Sequence, residues 1–176
     1  LGFKNEVISE FLKKEHAGLN YSTVIEKEPL GTGGAIRLAC HAVKGEHTLI
    51  INGDTLFDID IQQLSIFHEQ KKSACSIALK PMKEFSRYGA VEMDQDDRIT
   101  AFNEKKFCSK GLINGGVYAL KKDSLAEKDF PPVFSFEKEF LEKNTGSGRL
   151  FGMTFDNYFI DIGIPEDYER AQTELK

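Results

Sequence analysis

Cysteine is scarce in this chain and odd in number: Cys40, Cys75 and Cys108 are widely spaced among 176 residues. That excludes a disulfide framework and a cysteine zinc site, and leaves reduced thiols of the kind a cytoplasmic protein carries. The histidines, His16, His41, His47 and His68, show no metal-ligand spacing. No apolar run is long enough to span a bilayer and no signal-peptide pattern is visible, so no membrane partner is expected. Basic residues nowhere cluster, and the net charge is -5, which argues against a nucleic-acid surface. Internal repeats and low-complexity segments are absent as well.

What is present is the profile of a soluble globular protein, 40% hydrophobic and 29% charged. The length suits one domain, 1–176, which buries roughly 70% of the surface its unfolded chain exposes. The chain begins Leu1-Gly2-Phe3, without an initiator Met, and enters at once a helix-like segment over Asn5–His16 with Val7, Ile8, Phe11 and Leu12 on one face. An α/β domain that starts on a helix has usually lost, or never had, the strand before it, so a fragment or truncated product is expected.

The pattern predicts a strand over 20–26, a glycine turn, and a helix from Ala35 to Val43 with Gly45 near its C-cap. His47–Ile51 is a short apolar run, expected to be buried on both faces of a parallel sheet, and it ends in Asn52-Gly53-Asp54. Asp60 can cap a helix running to about Lys71, and Ala74–Leu79 reads as a buried strand that Pro81 breaks. Residues 88–93 and 98–102 flank Asp94-Gln95-Asp96-Asp97, a hairpin tip in preference to a calcium loop, because no glycine or distal glutamate follows at loop spacing. Leu112–Leu120 is a further strand, with Asn114-Gly115-Gly116 inside it, where a ligand can lie against the backbone. A helical turn is expected over 121–127, then an amphipathic helix capped by Ser135 with Lys138 and Glu139 outward. Arg149–Phe155 and Tyr158–Ile160 read as a final pair of strands, before Asp161-Ile162-Gly163 and a helix opened by Pro165.

The most telling stretch is Glu28-Pro29-Leu30-Gly31-Thr32-Gly33-Gly34-Ala35. Strand, glycine-rich turn and helix is an arrangement that presents backbone N–H groups to a nucleotide, and glycines remove side chains where a ring or phosphate approaches the main chain. Alone it is an ordinary connection. Followed by Asn52-Gly53-Asp54, Glu104-Lys105, Asn114-Gly115-Gly116 and Phe159-Ile160-Asp161-Ile162-Gly163 in that order, it is not. On these residues the sequence resembles the sugar-1-phosphate nucleotidyltransferase (NTP-transferase) family, and within it the small bacterial heptose-1-phosphate and mannose-1-phosphate guanylyltransferases. The resemblance runs from Leu1 to about Tyr168.

It implies an α/β, Rossmann-like fold: a mixed, mostly parallel sheet flanked by helices, with a sugar-binding subregion over 82–120. It implies attack of a sugar 1-phosphate oxygen on the α-phosphorus of a nucleoside triphosphate, giving a nucleotide-sugar and pyrophosphate. Two anions must meet, so charge neutralisation and in-line positioning dominate, and Mg2+ on hard oxygen ligands is expected. Asp54 and Asp161 match the metal-binding aspartates. Each follows a strand, so both can reach one sheet edge. Glu28, Gly31, Thr32 and Gly33 match the base-recognition loop. A carboxylate can accept from guanine N1–H and N2–H2 together, where uracil or thymine offers one such donor, so Glu28 leans toward GTP. Gly89, after Tyr88, matches the glycine that meets the sugar; Glu104 the carboxylate on its hydroxyls; Lys105 the lysine on its phosphate; Asn114 and Gly115 the sugar-contacting strand. Phe102 and Tyr118 fit core or pocket wall.

One departure stands out. The family's first strand and its phosphate loop, G-x-G-T-R-L with a later P-K, are absent from this sequence. The expectation is that this chain by itself catalyses poorly or not at all while the intact parent is the enzyme. Open strand edges would also invite pairing with a second copy, a homo-oligomer. The rival readings are a uridylyl- or thymidylyltransferase for a hexose 1-phosphate and a non-catalytic nucleotide-sugar-binding module.

Overall fold

The structure, a computed structural model, describes residues 1–126 and 129–175. The turn expected over 121–127 is a 3-10 turn at Lys122–Leu125, and its last residue, Glu127, lies outside the described residues. The chain forms two compact units, Leu1–Gly45 with Leu125–Phe140, and Glu46–Ser124 with Leu141–Lys176.

In the first unit, helix α1 (Asn5–Glu15) stops one residue short of His16 and buries none of its residues. The expected strand over 20–26 does not form a ladder. Its backbone pairs through Leu1, whose N-terminus donates to the Val24 carbonyl at 2.6 Å and whose carbonyl accepts from Glu26 N–H at 2.8 Å. A strand is defined by its neighbours, and among the described residues this segment has one bridging residue instead of a strand beside it. Helix α2 (Gly31–Ala42) begins four residues earlier than expected, so the glycines are its first turn and not a loop before it. Gly45 adopts φ +88, but the helix has already ended at Ala42. The helix expected after Ser135 is a single π-helical turn (Phe136–Leu141), in which Ser135 Oγ accepts from Lys138 N–H at 3.1 Å. Lys138 faces out as expected, while Glu139 is half-buried and accepts from Ser135 N–H at 2.6 Å.

In the second unit the elements are β1 (His47–Ile51), β2 (Thr55–Phe57), α3 (Ile61–Lys71), β3 (Cys75–Phe85), β4 (Ala90–Met93), β5 (Ile99–Phe102), β6 (Cys108–Lys121), β7 (Leu150–Thr154), β8 (Phe159–Asp161) and helix α3's counterpart at the C-terminus, α4 (Pro165–Glu174). Asp60 caps α3 by accepting from Gln63 N–H at 3.0 Å, as its position predicts. The long strand β6 is the spine of the main sheet. One edge pairs with β3; the other is shared by β1 against its C-terminal half and β4, with β5 beyond, against its N-terminal half. The sheet is mixed, and α3 packs on β3, β6 and β7. Among the described residues its parallel pairing is between β3 and β7.

Three expectations about strands change. β1 is not buried on both faces: among the described residues it pairs only with β6, antiparallel, and alternates, leaving Leu49 38% and Ile51 55% exposed. Pro81 does not end β3, which runs on to Phe85. Pairing with β7 stops at Leu79, so beyond it β3 is an edge on that side, where a missing N–H is tolerated. β7 and β8 do not pair with each other. β7 joins β3, whereas β8 joins β2 in a separate two-stranded ribbon. The hairpin tip is as expected: Asp94 Oδ1 accepts from Asp96 and Arg98 N–H, both at 2.9 Å, and Arg98 pairs with Asp96, so these carboxylates are spent on the turn.

The core of this unit gathers Phe57, Leu64, Ala78, Val117, Ala119 and Phe155. Beside it lies a buried polar pair. His68, 1% exposed, has its two ring nitrogens 2.9 Å from His47 Nδ1 and 3.1 Å from Ser76 Oγ. Burial, with His47 adding repulsion, lowers its pKa from 6.5 to about 4. The folded state therefore binds fewer protons than the unfolded chain between those values. The associated stability is complete above about pH 6.5 and is lost as pH falls toward 4, by of order 3 kcal/mol. Urea midpoints measured at pH 7 and pH 4.5 should show that loss, and His68→Gln should flatten the dependence.

Candidate functional site

Two paired strands bring the predicted metal carboxylates together. In the ribbon, Thr55 lies opposite Asp161, and the Asp54 carbonyl accepts from Ile162 N–H at 3.0 Å. Asp161 is thus the last residue of β8 and not beyond it, while Asp54 precedes β2 and is free of that strand's pleat. Asp161 Oδ1 accepts from Gly163 N–H at 2.8 Å, which fixes one side of the carboxylate, and Asp54 is exposed. Two hard oxygen donors at adjoining register positions suit a cation that takes its remaining ligands from water and phosphate, as Mg2+ does. Among the described residues no three His, Cys, Asp or Glu gather into a fuller cage.

The Asn52-Gly53-Asp54 turn is tied to the glycine pair in β6, since Asn52 N–H donates to the Gly116 carbonyl at 2.9 Å. Here β6 carries two extra residues against β3, between the pairs Ile77↔Tyr118 and Leu79↔Asn114. Gly116, at φ +73, makes that irregularity possible. Asn114 braces it, accepting from Gly116 N–H and donating to Tyr118 Oη, both at 3.0 Å. The space a side chain would take on Gly115 is filled by Phe57, whose Cδ1 lies 2.4 Å from an added Cβ. Close packing of protein on protein is thus one use of the missing Cβ at Gly115.

Gly89 is equally tight, since a Cβ there would meet the Asn103 carbonyl at 2.4 Å. That contact sets Gly89 against the residue next to Glu104 and Lys105, so the three predicted sugar-side positions share one end of the β4–β5 hairpin. Glu104 and Lys105 are exposed.

The predicted nucleotide residues belong to the first unit. Glu28 is exposed, just before α2. The face of the glycines is again occupied: an added Cβ on Gly33 would come 2.2 Å from the Phe134 ring, and one on Gly31, at φ +70, 2.6 Å from the Phe134 carbonyl. Gly33 N–H donates to that carbonyl at 2.9 Å, and Phe134 N–H returns to Leu30 at 3.0 Å. The Thr32 hydroxyl accepts from Phe136 N–H at 2.8 Å and donates to Glu137 at 2.7 Å. Arg37 donates to the carbonyls of Phe130, Pro131 and Pro132 and lies 5.1 Å from the Phe134 ring centroid. The loop is therefore held by the 130–137 segment, which sequence reasoning did not connect to it.

Sequence reasoning also missed Arg87, Asp167 and Arg170. With Lys83, Tyr88 and Asp161 they line a polar cleft of about 280 Å³. Burial, then the Asp161 charge, pushes the Tyr88 phenol up to about 12. Arg87 is held above its ordinary range, first by its hydrogen bond to Asp167. Their signal in the sequence is adjacency: Arg87 precedes the Tyr88-Gly89 pair, and Asp167 opens the helix after Asp161.

Residues 3–176 match the family described as "Nucleotidyl transferase". A D-glycero-alpha-D-manno-heptose 1-phosphate guanylyltransferase of Aneurinibacillus thermoaerophilus is 47% identical over 99% of this chain and 76% of its own length. A mannose-1-phosphate guanylyltransferase of Mycobacterium tuberculosis is 29% identical over 95% of this chain and 47% of its own length. HddC from Yersinia pseudotuberculosis, solved in complex with GMP-PN, superposes with a TM-score of 0.85 at 35% identity, over 100% of this chain and 76% of HddC.

Proposed function

Because the chain belongs to the nucleotidyl transferase family, we propose that it serves to join GTP and a sugar 1-phosphate, a heptose 1-phosphate first and a mannose 1-phosphate second. The products are a GDP-sugar and pyrophosphate. The observation that carries this reading is the β2–β8 ribbon, which sets Asp54 and Asp161 at adjoining positions. A phosphate oxygen of the sugar 1-phosphate attacks the α-phosphorus of GTP; its bond to phosphorus forms as the bond to the β-phosphate oxygen breaks, and pyrophosphate departs with that electron pair. Asp54 and Asp161 would hold Mg2+, which supplies charge neutralisation between the two anions. Glu28 accepts from guanine N1–H and N2–H2, at the entry to the loop of Gly31, Thr32 and Gly33. The packed 130–137 segment keeps that loop in one conformation, so little ordering is left to binding. Glu104 accepts from sugar hydroxyls beside Gly89, Lys105 meets the sugar phosphate, and Asn114 and Gly115 shape the floor.

The relatives favour guanylyl transfer over the uridylyl and thymidylyl alternatives. Residues 1–176 act as one nucleotidyltransferase domain in this reading, with 82–120 as its sugar region and surface-polysaccharide synthesis as its use. Cys40, Cys75 and Cys108, none of them in a disulfide among the described residues, suit the cytoplasm. No described helix is long and apolar enough to cross a membrane.

The test is pyrophosphate release by the intact parent protein with GTP, UTP, dTTP or ATP, Mg2+, and heptose or mannose 1-phosphate. Selective turnover of GTP with the heptose is expected. Preference for UTP or dTTP, or no turnover with any pair, would overturn the reading. Glu28→Ala should lower the preference for GTP over UTP in kcat/KM by about 10- to 100-fold, the worth of charged hydrogen bonds to one base edge. A two-nucleotide competition assay measures it directly, and an unchanged ratio would remove Glu28 from base recognition.

A further inference from the structure

The first turn of α2 is braced by a carboxylate 105 residues further along the chain. The Thr32 hydroxyl accepts from Phe136 N–H at 2.8 Å and donates its proton to Glu137 Oε2 at 2.7 Å. The Ser135 hydroxyl accepts from Lys138 N–H at 3.1 Å and donates to the same Oε2 at 3.0 Å. Each hydroxyl thus takes a main-chain donor and gives its own proton to one anion, which fixes its direction and strengthens the bond. Glu137 is half-buried and stands on a firm base. The π-helical turn that carries it is anchored by Phe136 and Phe140, both buried and stacked at 5.1 Å. Glu139 closes the start of that turn by accepting from Ser135 N–H at 2.6 Å. Just before α2, Glu26 Oε2 accepts from Leu30 N–H at 3.0 Å.

We propose that Thr32 and Glu137 are positioning residues for base discrimination: their hydrogen bond holds the glycine turn, and with it Glu28, in the conformation that accepts guanine. This inference rests on the reading of Glu28 and the Gly31–Gly33 turn as the base-recognition loop. Thr32 sits between the two glycines whose missing Cβ atoms admit Phe134. Glycine has the widest backbone freedom, so the turn needs a fixed point, and Thr32 is the residue between Gly31 and Gly34 with a side chain that can hold one. Glu28 lies four residues before Thr32, across Pro29, whose ring fixes φ. A rotation of the first turn of α2 therefore carries the Glu28 carboxylate with it. A carboxylate that must meet two guanine donors at once loses more from a small displacement than a contact with one donor does. The brace therefore acts on the preference for guanine over a pyrimidine base, and less on nucleotide binding as a whole.

The experiment is displacement of a fluorescent GDP analogue from the intact parent protein by GTP and by UTP, with Mg2+ present and thermal melting of each variant in parallel. Thr32→Val keeps the shape of an exposed side chain and removes the hydroxyl. It should lower the preference for GTP over UTP about 10-fold, and Glu137→Ala should do the same. Thr32→Ser returns a hydroxyl and should recover most of the preference. The double variant Thr32→Val, Glu137→Ala should lose no more than either single variant, because both remove one bond. Glu137→Gln keeps the size of the side chain and loses its charge, so its preference should fall in between, and it carries the test where Glu137→Ala does not fold. Parent-like preference in Thr32→Val and Glu137→Gln, equal weakening of GTP and UTP, or additive losses in the double variant would overturn the inference. With the preference lost in Glu28→Ala, any of these leaves Glu28 as the base reader. Parent-like preference in Glu28→Ala, or no displacement by GTP from the parent, would overturn the base-loop reading and the inference with it.

Discussion

Asp161→Asn is expected to lower kcat for GTP and heptose 1-phosphate by about 10³-fold or more, the equivalent of several kcal/mol of lost charge stabilisation. The substitution removes one negative charge from the pair proposed to hold a cation between two phosphate-bearing anions. It leaves the shape of the side chain, and the amide oxygen can still accept from Gly163 N–H, the bond of 2.8 Å that Asp161 makes now. Stability should therefore change by no more than about 0.5–1 kcal/mol. Pyrophosphate release separates the effects when read beside a urea unfolding curve. A large loss of turnover with an unchanged midpoint assigns the residue to the chemistry. Near-parent turnover would remove Asp161 from the site altogether. Asp54→Asn should behave alike, since Asp54 is exposed and its carboxylate accepts from the Thr55 hydroxyl at a long 3.4 Å.

The order of motifs in the chain was enough to name the family and the α/β class, because those motifs are chemical. A carboxylate pair and a glycine-rich stretch look the same wherever the strands run. Pairing was less legible. Nothing in His47–Ile51 says that the strand will have a neighbour on one side only, since an apolar run has no memory of which edge is covered. Nor does any local signal tell β8 to leave β7 and pair with β2, a choice made by Phe57 and Phe159 meeting edge to face at 5.5 Å. The packing around the glycines was not legible either. Beside Gly31, Gly33 and Gly115 the space of a Cβ is taken by Phe134 or Phe57, residues 58 to 103 positions away in sequence. Sequence spacing does not show such a neighbour, because a packed ring and an approaching ligand require the same missing Cβ. The Arg87–Asp167 pair was invisible for a related reason: its members are 80 residues apart and belong to no motif.

Gly115→Val should be the most destabilising substitution near the site, by about 3 kcal/mol, the upper part of the range for overpacking a tight interior. An added Cβ lies 2.4 Å from Phe57 Cδ1 and 2.8 Å from the Ala78 carbonyl oxygen. The ring could tilt, but it is held between Phe155 and Phe159, and the carbonyl is backbone of β3 and cannot move alone. The damage should extend beyond stability. Phe57 ends β2, three residues after Asp54, and its ring contacts Phe159, two residues before Asp161. Displacing it disturbs both halves of the carboxylate pair, so Mn2+ affinity should fall with the urea midpoint. Gly53→Ala is the control. It lies in the Asn52-Gly53-Asp54 turn itself, yet an added Cβ meets nothing within 4 Å, so its midpoint should stay within about 0.5 kcal/mol of the parent. Combining Gly115→Ala with Phe57→Leu should recover part of the loss, because the smaller side chain relieves the ring clash while the Ala78 carbonyl remains in place. Full stability in Gly115→Val would show that β6 yields at this point. Loss without any recovery in the double variant would assign the strain to the β3 backbone instead of the ring.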